Sequence, residues 1–204
     1  MNILGDIIKS TSWLEWFGVG FSVTQVLLSR ANNPKNYFFG IAGILLTIFV
    51  MYQSKLYAEM LLNVYYLVMS IYGVWFWMLK KNEVYTPITF STKKDLAVTL
   101  GIVGVAFLLL FSVLKNFTSS DVPVWDAWVS ATAWAGMWLM AKRKVENWIL
   151  LNISNIFAIP LLWHKELYLY SLLTAFLFIV AVFGYFNWRR IIKEEQEKKL
   201  YVAK

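Results

Sequence analysis

Three asparagines fall within the ten residues ENWILLNISN, 146–155, at the head of an apolar run that continues as IFAIPLLW. Read as a helix, Trp148, Asn152, Asn155 and Ile159 form one stripe, because residues three and four apart are neighbours on a helical face. An indole followed by two amides can stack a flat ring and hydrogen-bond its substituents, since each amide both donates and accepts. The competing role is structural: such asparagines also tie neighbouring helices together, a contact worth about 0.6 to 2 kcal/mol. A second set stands in LYAEMLLNVYYLVMSIYG, where Asn63 and Tyr66 are followed one turn on by Ser70. Trp134, halfway along another apolar run, and Gln25 are further candidates, each equally able to pack against a neighbour.

These residues need elements to hold them, and composition says which. Of the 204 residues 59% are hydrophobic and only 15% charged, with 11 Trp and 15 Phe, far from a soluble average. Helices are expected at 12–30, 36–53, 56–79, 96–115, 124–141, 146–163 and 166–188, each near the ~20 residues that cross a hydrocarbon core. Short connections imply one membrane domain. In lipid, backbone groups find partners only within a helix or a closed barrel, and near-continuous apolar runs lack a barrel's alternation. The fold class is therefore all-α integral membrane with seven transmembrane helices.

A net charge of +7 in a soluble protein would suggest nucleic acid, but its distribution argues for a bilayer. Alternating the spans gives one side Lys9, Lys55, Lys115 and Lys165 and the other side the remaining 15 basic residues. The positive-inside rule then places the N-terminus outside and the C-terminus in the cytoplasm. The start MNILGDIIKSTSW lacks the pattern of a cleaved signal peptide. With no cysteine, disulfide and thiolate chemistry are excluded.

Laying 13–80 on 124–191 without gaps gives 9 identities in 68 positions, six of them between Leu56 and Trp77. Asn36 meets Asn147, Gly73 meets Gly184, and Trp77 meets Trp188. A three-span unit ends opposite its start, so the extra helix at 96–115 restores the orientation of a second copy. This predicts a 3+1+3 parallel repeat of SWEET-like architecture: 12–80, a cytoplasmic link and spacer helix at 81–115, 124–190, and a solvated helical tail at 191–204. Transporters of this plan bind substrate near the midplane between halves.

The acidic residues before the tail lie near helix ends or in loops, Glu15, Glu59, Asp126 and Glu166 on one side, Glu83, Asp95 and Glu146 on the other. A proton-driven carrier usually keeps an ionisable group inside the membrane, so facilitated diffusion is expected. His164, the only histidine, has no second ligand at metal spacing, and neither metal nor cofactor is expected. No catalytic triad, Cys-His pair or carboxylate pair sits inside the bundle, which argues against an enzyme. The last span lacks the lysine a retinal pigment requires. Trp13, Trp16, Trp125, Trp128 and Trp163 at one boundary, and Trp75, Trp77 and Trp188 at the other, read as interfacial belt.

The segments LYAEMLLNVYYLVMSIYGVWFW, DAWVSATAWAGMWLMAKRKVENW and NISNIFAIPLLWHKELY resemble the bacterial PnuC family of nicotinamide riboside transporters, over about residues 13 to 190. The resemblance implies a homotrimer in the bacterial cytoplasmic membrane, energised only by the substrate gradient, with intracellular phosphorylation trapping the vitamin. It also implies substrate roles for Asn147, Asn155 and Asn63. Family members commonly carry a second tryptophan three residues after that of ENW, and here that position is Leu151. The aromatic role would then pass to Trp148 or Trp134. Nicotinamide riboside suits such a site: an indole face attracts its pyridinium, an asparagine pairs with its carboxamide, and Asn63, Tyr66 or Ser70 can meet the ribose. Thiamine or riboflavin remains open by the same logic. So do a sugar carrier and, from a different class, a membrane sensor or assembly subunit without transport.

Overall fold

The computed structural model describes residues 13–53, 57–78, 80–81, 84–118 and 120–202. Among the described residues there are seven α-helices: α1 (Trp13–Arg30), α2 (Asn36–Gln53), α3 (Tyr57–Met78), α4 (Lys93–Phe117), α5 (Pro123–Ala141), α6 (Asn147–His164) and α7 (Tyr168–Val202). A short antiparallel pair, β1 (Lys80–Lys81) and β2 (Val84–Tyr85), follows α3. The all-helical expectation holds. The expected helix limits at 12, 56 and 79, and Lys9, Lys55 and Glu83, lie outside the described residues.

Local sequence accounts for several ends. Thr92 and Asp95 close a reciprocal capping box on α4, with Thr92 Oγ1 accepting from Asp95 N at 3.1 Å and Asp95 Oδ2 from Thr92 N at 3.0 Å. That cap starts α4 at Lys93 rather than 96. Proline opens α5, where its missing N–H costs nothing. Helices α1, α5 and α6 end alike, each with a left-handed residue just past the helix: Asn32 (φ 55°), Arg143 (φ 56°) and Glu166 (φ 60°). In each the next amide reaches back five residues: Asn33 N to Leu28 O, Lys144 N to Leu139 O and Leu167 N to Leu162 O, all at 2.9 Å. The last helix runs unbroken through the basic tail, braced by Arg190–Glu194 and Lys193–Glu197 pairs one turn apart.

The helices pack as a ring. Contacts run from α1 to α2, α2 to α3, α3 to α5, α5 to α6, α6 to α7 and back from α7 to α1, while α4 lies principally against α5. The outer surface is apolar, with Val68, Ile71, Leu100, Val105, Leu108, Ile179 and Phe186 all exposed, an arrangement water would penalise and lipid accepts. Helix α4 and the Tyr168–Lys198 part of α7 are each long and apolar enough to cross a membrane. Within α6, Pro160 interrupts the hydrogen-bond ladder. Side chains from neighbouring helices serve carbonyls beside it: Trp125 Nε1 donates to Phe157 O at 2.9 Å and Ser171 Oγ to Ile159 O at 3.0 Å.

One end of the ring is sealed by aromatic residues. Trp77, Trp148 and Trp188 are fully buried in one cluster with Tyr37, Val145 and Met140. Trp77 Nε1 donates to Met140 O and Trp188 Nε1 to Ser29 O, both at 3.0 Å. The overlay of 13–80 on 124–191 brings the two donors to one position and the two acceptors to another. It likewise superposes the edge-to-face pairs Tyr37–Trp77 (5.2 Å, 88°) and Trp148–Trp188 (5.5 Å, 87°). Trp77 and Trp188 themselves touch at 5.7 Å. Their interfacial reading is corrected here: both rings are buried, and each indole N–H finds a backbone carbonyl on another helix. Trp75, by contrast, is 59% exposed.

The 86–92 segment straps this end. Thr89 N donates to Arg143 O and Val145 N to Thr89 O, both at 3.1 Å, and Ile88 is buried in the aromatic cluster. Ser91 N and Oγ both donate to Glu146 Oε2, at 2.9 and 2.6 Å, and Lys144 pairs with Asp95 at 3.1 Å.

Candidate substrate site

At the other end the first three helices enclose a cavity of about 200 Å³. Helix α1 contributes Glu15, Gly18, Ser22 and Gln25 down one stripe, spaced three and four residues apart. Opposite lie Gly40, Gly43 and Thr47 of α2, Asn63 of α3 and, from the neighbouring end of the chain, Tyr170 of α7. Glu15 sits in the first turn of α1 and Gln25 about 15 Å deeper. The cavity therefore runs from one end of the ring to about two-thirds of the length of α1. Its floor is formed where the Gln25 amide lies over Gly40: a Cβ on Gly40 would stand 2.9 Å from Gln25 Cδ, so only glycine admits the amide there.

Of the sequence candidates, Gln25 and Asn63 line this cavity. Asn152 and Asn155 sit at mid-depth on α6, partly buried, with Asn155 Nδ2 at 3.4 Å from Asn152 Oδ1. Trp134 is also at mid-depth and stacks on Tyr65 at 4.1 Å and 18°, while the Tyr65 hydroxyl donates to Trp134 O at 3.1 Å. Its Nε1 is buried without a hydrogen-bond partner. Tyr66, beside Tyr65 on α3, is partly buried, and Ser70 is fully buried with an unpartnered Oγ. Unsatisfied buried polar atoms at this depth are what a polar ligand or ordered water would serve.

Two candidates are placed elsewhere. Asn147 is fully buried at the sealed end, its Nδ2 donating to Lys144 O at 2.5 Å, just as Asn36 Nδ2 donates to Asn33 O at 2.8 Å. Both asparagines brace the turn before their helix. Trp148 is walled in: Gly184 lies against its ring, where a Cβ would stand 2.7 Å from Cδ2, and Trp188 packs at its edge. In this conformation the Trp148 ring is packed against Gly184 and Trp188 of α7, while Asn152 and Asn155 lie one and two turns further along α6. Leu151 packs on Gly136, where a Cβ would meet Leu151 Cδ2 at 2.8 Å. Sequence reasoning missed Glu15, Ser22 and Tyr170 as cavity residues, although the glycines Gly18, Gly40 and Gly43 facing a polar stripe were visible in the sequence.

The charged groups outside the ring pair with each other. Lys165 Nζ contacts both Asp126 oxygens at 2.6 Å, and Ser120 Oγ donates to Asp126 Oδ2 at 2.5 Å. His164 Nε2 lies 2.7 Å from Asp121 Oδ2, and that hydrogen bond holds the Asp121 carboxyl below the usual carboxylate range. Among the described residues no group of three or more His, Cys, Asp or Glu could hold a metal ion.

A ring of apolar-surfaced helices with a polar cavity entering from one end and a sealed opposite end is suited to passing a small solute. Residues 12–190 match the family model described as "Nicotinamide mononucleotide transporter". The chain belongs to that family. The nicotinamide mononucleotide transporter family places it in a membrane and among transporters rather than enzymes. It is 26% identical over 215 residues to the nicotinamide riboside transporter PnuC of Escherichia coli K12, covering 93% of this chain and 90% of the relative. PnuC of Neisseria mucosa is likewise 26% identical, over 92% of this chain and 76% of the relative. The fold is similar to a solved structure, "Crystal structure of the Vitamin B3 transporter PnuC", with TM-score 0.70 and 23% identity over 94% of this chain and 87% of that one.

Proposed function

We propose that the chain carries nicotinamide riboside by facilitated diffusion, as a uniporter whose net uptake is drawn inward by intracellular phosphorylation. The observation that carries this reading is the polar cavity that enters from one end and stops on Gln25, against a ring sealed beyond it by Trp77 and Trp188. The substrate site then lies between Gln25 and Asn63 on one side and Asn152 and Asn155 on the other. Tyr66 and Ser70 are within reach of the ribose, and the stacked Tyr65–Trp134 pair supplies the aromatic wall. Asn147 and Trp148 support this site from the sealed end. The contacts recurring at matched positions of 13–80 and 124–191 support a 3+1+3 parallel repeat, with α4 as spacer and the two halves meeting at α1–α7 and α3–α5. A homotrimer with the N-terminus outside and the basic, sealed end in the cytoplasm completes the proposal. The charge asymmetry supports that orientation.

Thiamine is the second reading, left open because Leu151, an aliphatic side chain packed on Gly136, stands where the family resemblance implies a tryptophan. Proteoliposomes supplied externally with radiolabelled nicotinamide riboside or thiamine decide between them. With the membrane potential clamped at zero, a uniporter equilibrates the riboside to equal concentrations, whatever the imposed proton or sodium gradient, and accumulates label only when a riboside kinase and ATP are enclosed. Accumulation driven by an ion gradient would overturn the uniport reading, and thiamine uptake without riboside uptake would transfer the assignment.

A further inference from the structure

The Ser22 and Thr47 hydroxyls of the first-half cavity have their protons committed to the backbone. Ser22 Oγ donates to Gly18 O at 2.9 Å and Thr47 Oγ1 to Gly43 O at 3.0 Å. Each oxygen is left able only to accept. Glu15 adds a carboxylate at the cavity's outer end, and among the described lining residues there is neither Lys nor Arg. The lining is thus rich in acceptors and carries negative charge. The other half is filled where this one is hollow. In the overlay of the two halves Gly40 meets Leu151, packed on Gly136, and Gly43 meets Ser154, buried with its Oγ donating to Val129 O at 2.8 Å. Gly18 keeps the first half open, since a Cβ added there would meet nothing within 4 Å.

We propose that this cavity is an outer subsite for a donor-bearing organic cation, with Glu15 as the residue that selects positive charge. On the functional reading above, on which this rests, the occupant is the pyridinium carboxamide end of nicotinamide riboside. At about 200 Å³ the cavity is smaller than the ~300 Å³ lower limit typical for a whole drug-sized ligand, so it takes one end of the molecule. The ring's charge meets the Glu15 carboxylate, and its carboxamide N–H groups meet acceptors that have no proton of their own to offer. Selection by charge occurs at the Glu15 end, before the substrate reaches Gln25.

The test compares nicotinamide riboside with its 1,4-dihydro form, which keeps the ribose and carboxamide but is neutral, by calorimetric titration of the purified protein. The wild-type chain is expected to prefer the cation. Glu15→Gln, nearly isosteric, is expected to weaken cation binding on the order of tenfold, the scale of one solvent-screened charge contact, and to leave the neutral form unchanged. Gly18→Leu, whose Cβ meets nothing within 4 Å and whose side chain takes up cavity space, is expected to weaken both, and each variant is checked for wild-type assembly by gel filtration. If Glu15→Gln keeps the preference for the cation, or Gly18→Leu binds both normally, the subsite is overturned while the transport reading stands. A wild-type chain that binds neither form overturns the transport reading along with it.

Discussion

Asn155 and Asn152 hold each other at 3.4 Å, a distance beyond a good amide hydrogen bond, at the depth where lipid or a tightly packed interior would serve them worst. A pair held that loosely can exchange its mutual contact for contacts to a ligand at small cost. Asn155→Leu removes one amide, and a polar ligand group that loses its partner in a dry site costs roughly 1–3 kcal/mol. Uptake by Asn155→Leu is therefore expected to fall about ten- to a hundredfold, with folding intact, since leucine is at home in α6. Uptake assays on reconstituted variant, normalised to folded protein, give the answer, and full activity would leave the asparagine a purely structural role. Residue chemistry also separates Asn147 from this pair despite its neighbouring position. It stands in the first turn of α6, where its amide serves the preceding turn at Lys144 O, as Asn36 serves Asn33 O at the head of α2.

At the scale of helices, α6 and α7 approach through Gly184, which leaves room for the Trp148 ring. Truncating that ring opens a cavity between the two helices, and Trp→Ala changes at buried sites typically cost about 3–5 kcal/mol. Trp148→Ala is expected to lower the melting temperature in detergent sharply. Trp148→Phe should retain most of the packing and transport normally per folded molecule. A Trp148→Phe variant with unchanged stability but much reduced affinity would instead restore the stacking role that sequence alone suggested. Most helix ends were legible because bilayer thickness sets their length and capping residues such as Thr92 and Pro123 mark their starts. The burial of Trp77 and Trp188 was not legible from their surroundings, because a tryptophan near a helix end looks the same whether it faces lipid or another helix. Only the matched pairs Gly73/Gly184 and Trp77/Trp188 hinted at it. The cavity was hidden for a similar reason: Glu15 near a helix end reads as interfacial until Gly18, Gly40 and Gly43 are seen to leave space beside it.

For the whole molecule, the two reciprocal indole bonds, Trp77 to Met140 O and Trp188 to Ser29 O, cross between helices of the two halves at the sealed end. Arg143 adds a third link, its Nη2 donating to Asn32 Oδ1 at 2.5 Å while its guanidinium lies 4.7 Å from the Trp77 ring centroid. A carrier that exposes its site to each side in turn must break these links to release substrate at that end. Removing them should shift the population toward the conformation open there, by about tenfold for the roughly 1–1.5 kcal/mol of one net hydrogen bond and further for two. The chain has no cysteine, so a single reporter can be introduced without background. Ser70 is fully buried and lies about 10 Å along α3 from Trp77, toward the cavity. Ser70→Cys alone is expected to react slowly with a membrane-impermeant maleimide supplied at the basic end. Combined with Trp77→Phe and Trp188→Phe, it should react at least tenfold faster, and saturating substrate should alter that rate. Equal rates in the two backgrounds would mean that the aromatic cluster is a fixed base of the ring and that the passage opens elsewhere.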